Sequence, residues 1–239
     1  MNIEILENED QVGEFLGKII IDAVKNNPKI VLGLATGSSP IKTYEYLISD
    51  FKKNKTDFSQ VIAFNLDEYI GLNENDDQSY KYYMNEQLFN HININKKNTF
   101  IPDPKTYLNN ASDYDKKIAE YGGIDLQILG IGENGHIGFN EPPTSFDSLT
   151  HVVDLTKSTI NSNAKFFKNI EDVPKQAISM GLNSIYKAKK IYLIALGEKK
   201  QDAIFQLVKG NKTEEWPCTI LKDHSNFTLI IDKKAAGRI

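Results

Sequence analysis

The chain has 239 residues, of which 40% are hydrophobic and 25% charged, with 32 acidic against 28 basic residues for a net charge of −4. That balance belongs to a folded globular protein and excludes a disordered, collagenous or disulfide-stapled chain; it also argues against a nucleic-acid partner. The single cysteine, Cys218, has no internal partner, so a reducing, cytoplasmic setting is expected.

The N-terminus has no basic and apolar leader, and no apolar run approaches the roughly 18 residues of a membrane span, so no membrane partner is expected. Val12, Phe15, Leu16, Ile19, Ile20, Ala23 and Val24 recur at helical spacing and predict an amphipathic helix over 9–26. The runs 29–34, 61–66, 125–131, 190–196 and 227–232 read as buried strands. Helical patterns lie between them at 40–50 and near 79–90, 111–121, 174–188 and 199–209, while 93–104 reads as a long surface loop. Alternation of this kind predicts an α/β fold, a mainly parallel sheet with helices on both faces. No linker interrupts it, so 1–239 reads as one domain. Sites in such sheets form at the carboxyl ends of strands.

Four segments there could carry chemistry. In LGLATGSSP, Thr36, Gly37, Ser38 and Ser39 separate a strand from a helix, a place where free N–H groups and hydroxyls seat an anion. No lysine follows the glycine, so this is not a nucleotide P-loop, and a plain helix cap is an equal reading. In VIAFNLDEY, Asp67 and Glu68 follow a buried strand and point to opposite sides, leaving one carboxylate free to act as a base. Gly130, Gly132 and Gly135 fit the dinucleotide G-x-G-x-x-G, but Gly138, Pro142 and Pro143 prevent the helix which that fingerprint must open. Nicotinamide and flavin are therefore excluded, leaving a glycine-rich loop that presents Asn134, His136, Asn140 and Glu141 for proton transfer. The last group is the lysines Lys165, Lys199 and Lys200, which by spacing alone read as surface residues. The four histidines, His91, His136, His151 and His224, are scattered, so no metal site is expected.

Read together, LGLATGSSP (32–40), FNLDEYIGL (64–72), QSYKYYM (78–84), LQILGIGENGHIGFNEP (126–142), THVVDLT (150–156), VPKQAISMGL (173–182) and LGEKK (196–200) resemble the glucosamine-6-phosphate deaminase (isomerase) family. The motifs stand in the family's order across essentially the whole chain, and the form is similar to short Gram-positive members. The resemblance implies a Rossmann-like three-layer αβα sandwich with a lid segment over about 150–180. It implies conversion of glucosamine 6-phosphate and water to fructose 6-phosphate and ammonium, without metal or organic cofactor. The partner it implies is the small-molecule substrate, and the state a monomer or small homo-oligomer. On matched positions, Asp67 would move the proton from C2 to C1. His136, helped by Asn134 and Glu141, would open the sugar ring. Thr36, Gly37, Ser38, Ser39, Lys165 and Lys200 would hold the phosphate.

Three departures from the family pattern sharpen the expectations. Many members have Asp where Asn134 stands, so the charge on His136 should depend more on Glu141. Lys165 replaces a common Arg and lacks its bidentate fork, so the phosphate contact should be looser. The segment THVVDL lacks the basic residues of the family's allosteric hexamers, so hyperbolic kinetics are expected. Galactosamine 6-phosphate as substrate, a 6-phosphogluconolactonase-like hydrolase and a non-catalytic sugar-phosphate sensor remain as alternatives.

Overall fold

The computed structural model describes residues 1–164 and 167–239. The chain runs β1 (Asn2–Leu6), α1 (Glu9–Asn26), β2 (Val31–Leu34), α2 (Ile41–Asn54), β3 (Ile62–Asn65), β4 (Asp67–Tyr69) and α3 (Tyr80–Met84), which continues as a π-helical turn (Asn85–Phe89). There follow β5 (Thr99–Phe100), α4 (Pro104–Tyr107), α5 (Asp113–Glu120), β6 (Leu126–Leu129), β7 (His151–Asp154) and α6 (Lys157–Asn163). The last part is β8 (Gln176–Ser179), α7 (Leu182–Tyr186), β9 (Ile191–Ala195), α8 (Gln201–Val208) and β10 (Phe227–Asp232).

Seven strands pair in the order β1-β10-β9-β6-β2-β3-β5, every neighbouring pair parallel. Both faces of this sheet are covered, which is why its strands read as unbroken apolar runs. Alternate residues go to opposite sides. Leu32, Leu34, Ala63, Ile128, Ile194 and Ile230 pack in one cluster with Leu16 and Ile20 of α1 and Leu47 of α2. Val31, Phe64, Leu129, Leu193, Leu229 and Ile231 pack in the other with Ile118 of α5, Ile185 of α7 and Leu207 of α8. Burial of each such side chain contributes about 1.5–3 kcal/mol, so the two layers are the main source of stability. This is the three-layer αβα arrangement that the resemblance implied.

The structure departs from the sequence reading in three places. The window 174–188 is not one helix: β8 occupies its first half and only α7 is helical. Ile178, Leu182 and Ile185 do fall at helical spacing, but pairing of β8 with β4 and β7 in a second, antiparallel sheet overrides it. β1 was not predicted, because its Ile3 and Ile5 are exposed on an edge strand and give no buried run. The stretch 93–104 is not all loop, since β5 adds the opposite edge of the large sheet.

The chain runs outward from β2 through β3 to β5, and from β6 through β9 to β10 in the other direction. The reversal lies between β2 and β6, and a crevice opens outside the carboxyl ends of strands at such a point.

Candidate active site

A cavity of about 650 Å³ occupies that crevice. Thr36, Gly37, Ser38 and Ser39 line it after β2, Asp67 after β3, Asn134, His136 and Glu141 after β6, and Lys199 and Lys200 after β9. The structure thus brings the sequence-predicted residues into one space. There are two exceptions: Asn140 is fully buried outside the cavity lining, its amide donating to the Ile137 and Met180 carbonyls and pinning the loop, and Lys165 lies outside the described residues.

Asp67 reaches the cavity because the chain changes sheets beside it. β3 ends at Asn65 in the large sheet, Leu66 bridges, and Asp67 begins β4 of the small sheet opposite Ser179. Asp67 is 6% exposed, and its carboxylate takes no hydrogen bond from any described residue. Burial, with the charge of Glu68 added, pushes it up to about 8. A carboxylate of that kind is a strong base with nothing to neutralise it except a ligand. Glu68 turns the other way, as strand alternation dictates, and accepts N–H groups from Tyr69, Tyr80 and Lys81 at 2.9, 2.9 and 3.0 Å.

The glycine-rich loop builds a relay. His136 Nδ1 lies 2.8 Å from Asn134 Oδ1, and Asn134 Nδ2 donates to Glu141 Oε2 at 2.5 Å. The direct separation from His136 Nδ1 to Glu141 Oε1 is longer, 3.7 Å. Because the amide nitrogen faces the glutamate, its oxygen faces the ring, and an amide oxygen only accepts. Nδ1 therefore carries the proton and Nε2 is left with its lone pair. Asn134 does more than tolerate the loss of a family Asp: it transmits the orientation set by Glu141. Burial lowers His136 below the ordinary histidine range, against the pull of Glu141, and Lys200 adds to the lowering. The ring is neutral near pH 7.

Two glycines shape this loop. A Cβ at Gly132 would fall 2.2 Å from the His136 ring, so the imidazole lies flat on bare backbone. Gly138 has φ +59, and a Cβ there would meet Ser179 Oγ at 2.9 Å and Asp67 Oδ2 at 3.6 Å. The positive φ and the close Ser179 hydroxyl favour glycine where the loop passes Asp67.

The turn after β2 is simpler. Gly37 turns the chain with φ +84, and α2 begins with no side chain capping it. The turn at 36–39 that leads into it lines the crevice, and the dipole at a helix start favours negative charge there. Lys200 stands on the other rim, its ammonium lowered by burial. Lys199 is exposed and pairs with Glu133 at 3.9 Å.

Sequence reasoning missed several wall residues. Tyr80 stacks on Phe139 with ring centroids 6.0 Å apart. From α6, Thr159 donates to Glu141 Oε1, as Thr156 does at 3.4 Å, and Asn163 Nδ2 donates to the Tyr69 hydroxyl at 2.8 Å. These are ordinary polar and aromatic residues on separate elements: Tyr69, Tyr80, Phe139 and Thr156 fall inside motifs without standing out there, and Thr159 and Asn163 fall in none. Among the described residues no three His, Cys, Asp or Glu side chains cluster to hold a metal ion, and no helix is long and apolar enough to cross a membrane.

Residues 7–230 match the family of glucosamine-6-phosphate isomerases/6-phosphogluconolactonase. The chain belongs to this family. Within it, the chain is 55% identical to a glucosamine-6-phosphate deaminase of Mycoplasma mycoides subsp. mycoides SC, over 100% of this chain and 98% of that protein. It is 50% identical to a glucosamine-6-phosphate deaminase of Thermoanaerobacter sp. (strain X514), over 100% and 95%. A solved monomeric glucosamine-6-phosphate deaminase superposes with a TM-score of 0.97 at 39% identity, covering 100% of both chains. The 6-phosphogluconolactonase of Trypanosoma brucei superposes at 0.80 with 16% identity, covering 100% of this chain and 98% of that one, a likeness of fold alone.

Proposed function

We propose that this chain is a glucosamine-6-phosphate deaminase, releasing ammonium from glucosamine 6-phosphate with water to leave fructose 6-phosphate. The observation that carries the reading is the buried, unpaired Asp67 in one cavity with the Glu141–Asn134–His136 relay. In the closed sugar the C2 proton is not acidic, so the ring must open first. His136 Nε2 takes the anomeric hydroxyl proton and returns it to the ring oxygen, giving the aldehyde. Asp67 then removes the C2 proton, now acidified by the carbonyl, and delivers it to C1. The enolamine becomes a ketimine, and water displaces ammonia from C2. Thr36, Gly37, Ser38, Ser39 and Lys200 hold the phosphate, whose binding energy places the reacting carbons rather than acting on them.

Hydrolysis of a lactone leaves an enolising base without a task, and a sensor leaves the whole relay without one. We place the reaction in the cytoplasm, in line with the free, buried Cys218. Purified protein is expected to release ammonia from glucosamine 6-phosphate, leaving fructose 6-phosphate, faster than it releases ammonia from the galacto epimer, whose product keeps the inverted C4 and is tagatose 6-phosphate. Asp67→Asn should lower kcat by about 100-fold or more and stop solvent deuterium entering the sugar at C1 and C2, as loss of a general base does. Wild-type turnover in that variant sinks the assignment.

A further inference from the structure

Glu68 touches no part of the cavity, yet it is among the most firmly held carboxylates in the molecule. It is 6% exposed, and its two oxygens accept three backbone N–H groups, from Tyr69 on its own strand and from Tyr80 and Lys81 at the start of α3. Those bonds close the loop of residues 70–79 and clip α3 to β4. Tyr80 is the consequence. Its backbone is held by Glu68, while its ring leans on Tyr69 at 4.8 Å and on Phe139 at 6.0 Å and forms the cavity wall beside Asp67. The same side chain sets a carboxylate one residue from Asp67, which no described donor neutralises.

Resting on the function proposed above, we propose that Glu68 is a positioning residue: it locks Tyr80 and Asp67 together as one wall of the cavity and sets the pH range in which Asp67 works. The groups that face Asp67 are few. Glu68 and Tyr69 come from β4, Tyr80 from α3 and Tyr114 from α5. Burial raises the tyrosines, which stay neutral throughout the working range, so Glu68 is the one carboxyl group among them. On its far side Glu68 faces Asp103, which adds to its own repulsion but does not approach Asp67. Burial, with Asp103 added, raises Glu68 above the ordinary glutamate range, and the three N–H donors work against that rise.

The test is the pH profile of kcat/KM for the wild type, Glu68→Gln and Glu68→Asp. The amine and phosphate of glucosamine 6-phosphate titrate identically in all three, so a displaced limb reports the protein. Glu68→Gln removes the charge and keeps the volume. Its acid limb should move to lower pH by about half a unit or more, the scale of a lost neighbouring charge. Its kcat should fall about tenfold while KM stays within about threefold, because no substrate contact is lost. Glu68→Asp keeps the charge but withdraws it from Tyr80 and Lys81, so kcat should fall with the limb in place. A limb unmoved in Glu68→Gln overturns the proposal. If that variant does not fold, Glu68→Asp decides: unchanged kcat overturns the proposal, and lowered kcat with an unmoved limb supports it. Absence of ammonia release by the wild type counts against the function itself, whereas wild-type turnover with an unmoved limb counts against Glu68 alone.

Discussion

At the scale of single residues, the base and the imidazole have been tuned in a common direction by burial. Asp67 is pushed up to about 8 and His136 is lowered, so both spend time near pH 7 uncharged. For Asp67 this has a cost in stability. The unfolded chain gives up the proton near pH 4 and the folded chain near 8, so between these values the folded state binds more protons and stability falls as pH rises. Asn mimics the neutral acid at any pH. Asp67→Asn should therefore be more stable than the wild type, by a margin that widens from pH 4 to pH 8 at up to about 1.4 kcal/mol per pH unit. Denaturant unfolding at pH 5 and pH 8 measures this, and a margin that does not change with pH contradicts the buried, ligand-free base. Sequence alone pointed to Asp67, His136 and Glu141 through their place after strands. It did not show that Asn134 stands between the other two, because the 2.8 and 2.5 Å contacts depend on how the loop turns at Gly132, Gly135 and Gly138.

At the scale of elements, α6 is the part we expect to move as a lid. β7 leads into it from the small sheet, Thr156 caps it by accepting the Thr159 N–H, and its inner side rests on Glu141 through Thr159 and on Tyr69 through Asn163. Its anchorage is polar, with Ile160 the apolar side chain packed beside Leu155 and Phe139. Polar latches of this kind open at low cost compared with a packed core. Amides of 157–163 should exchange more slowly with fructose 6-phosphate bound, while those of β9 and β10 remain equally protected. Identical exchange in 157–163 with and without the sugar phosphate argues against a lid. The sequence suggested a lid here but misread its frame, placing a helix over 174–188 where β8 anchors the small sheet. Four-residue strands carry too little periodicity to be told from a helix turn when the neighbouring helix continues the pattern.

At the scale of the whole molecule, a chain of net charge −4 takes a substrate with a doubly charged phosphate. The positive field must be local, and on the function proposed here we assign it to the start of α2 and to Lys200, which lines the same crevice. The segment His151–Asp154 is a strand of the small sheet, with His151 the one residue in it that can carry positive charge. A polyanionic effector has little to hold there. We expect a Hill coefficient of about 1, unchanged by N-acetylglucosamine 6-phosphate, in keeping with the monomeric relative of TM-score 0.97. Sigmoidal rate curves relieved by that compound would refute this. What the sequence determined by itself is the alternation of buried strands and amphipathic helices, because a parallel sheet covered on both faces demands apolar runs that polar punctuation must end. It determined as well that the polar residues after those runs gather at one edge of the sheet, since all seven strands point the same way. Only the tertiary structure decided that the chain crosses between sheets at Leu66, that Glu68 turns its back on the cavity and that Thr159 of α6 rests on Glu141. Each of these depends on contacts between segments distant in sequence, whose register is set by packing rather than by local pattern.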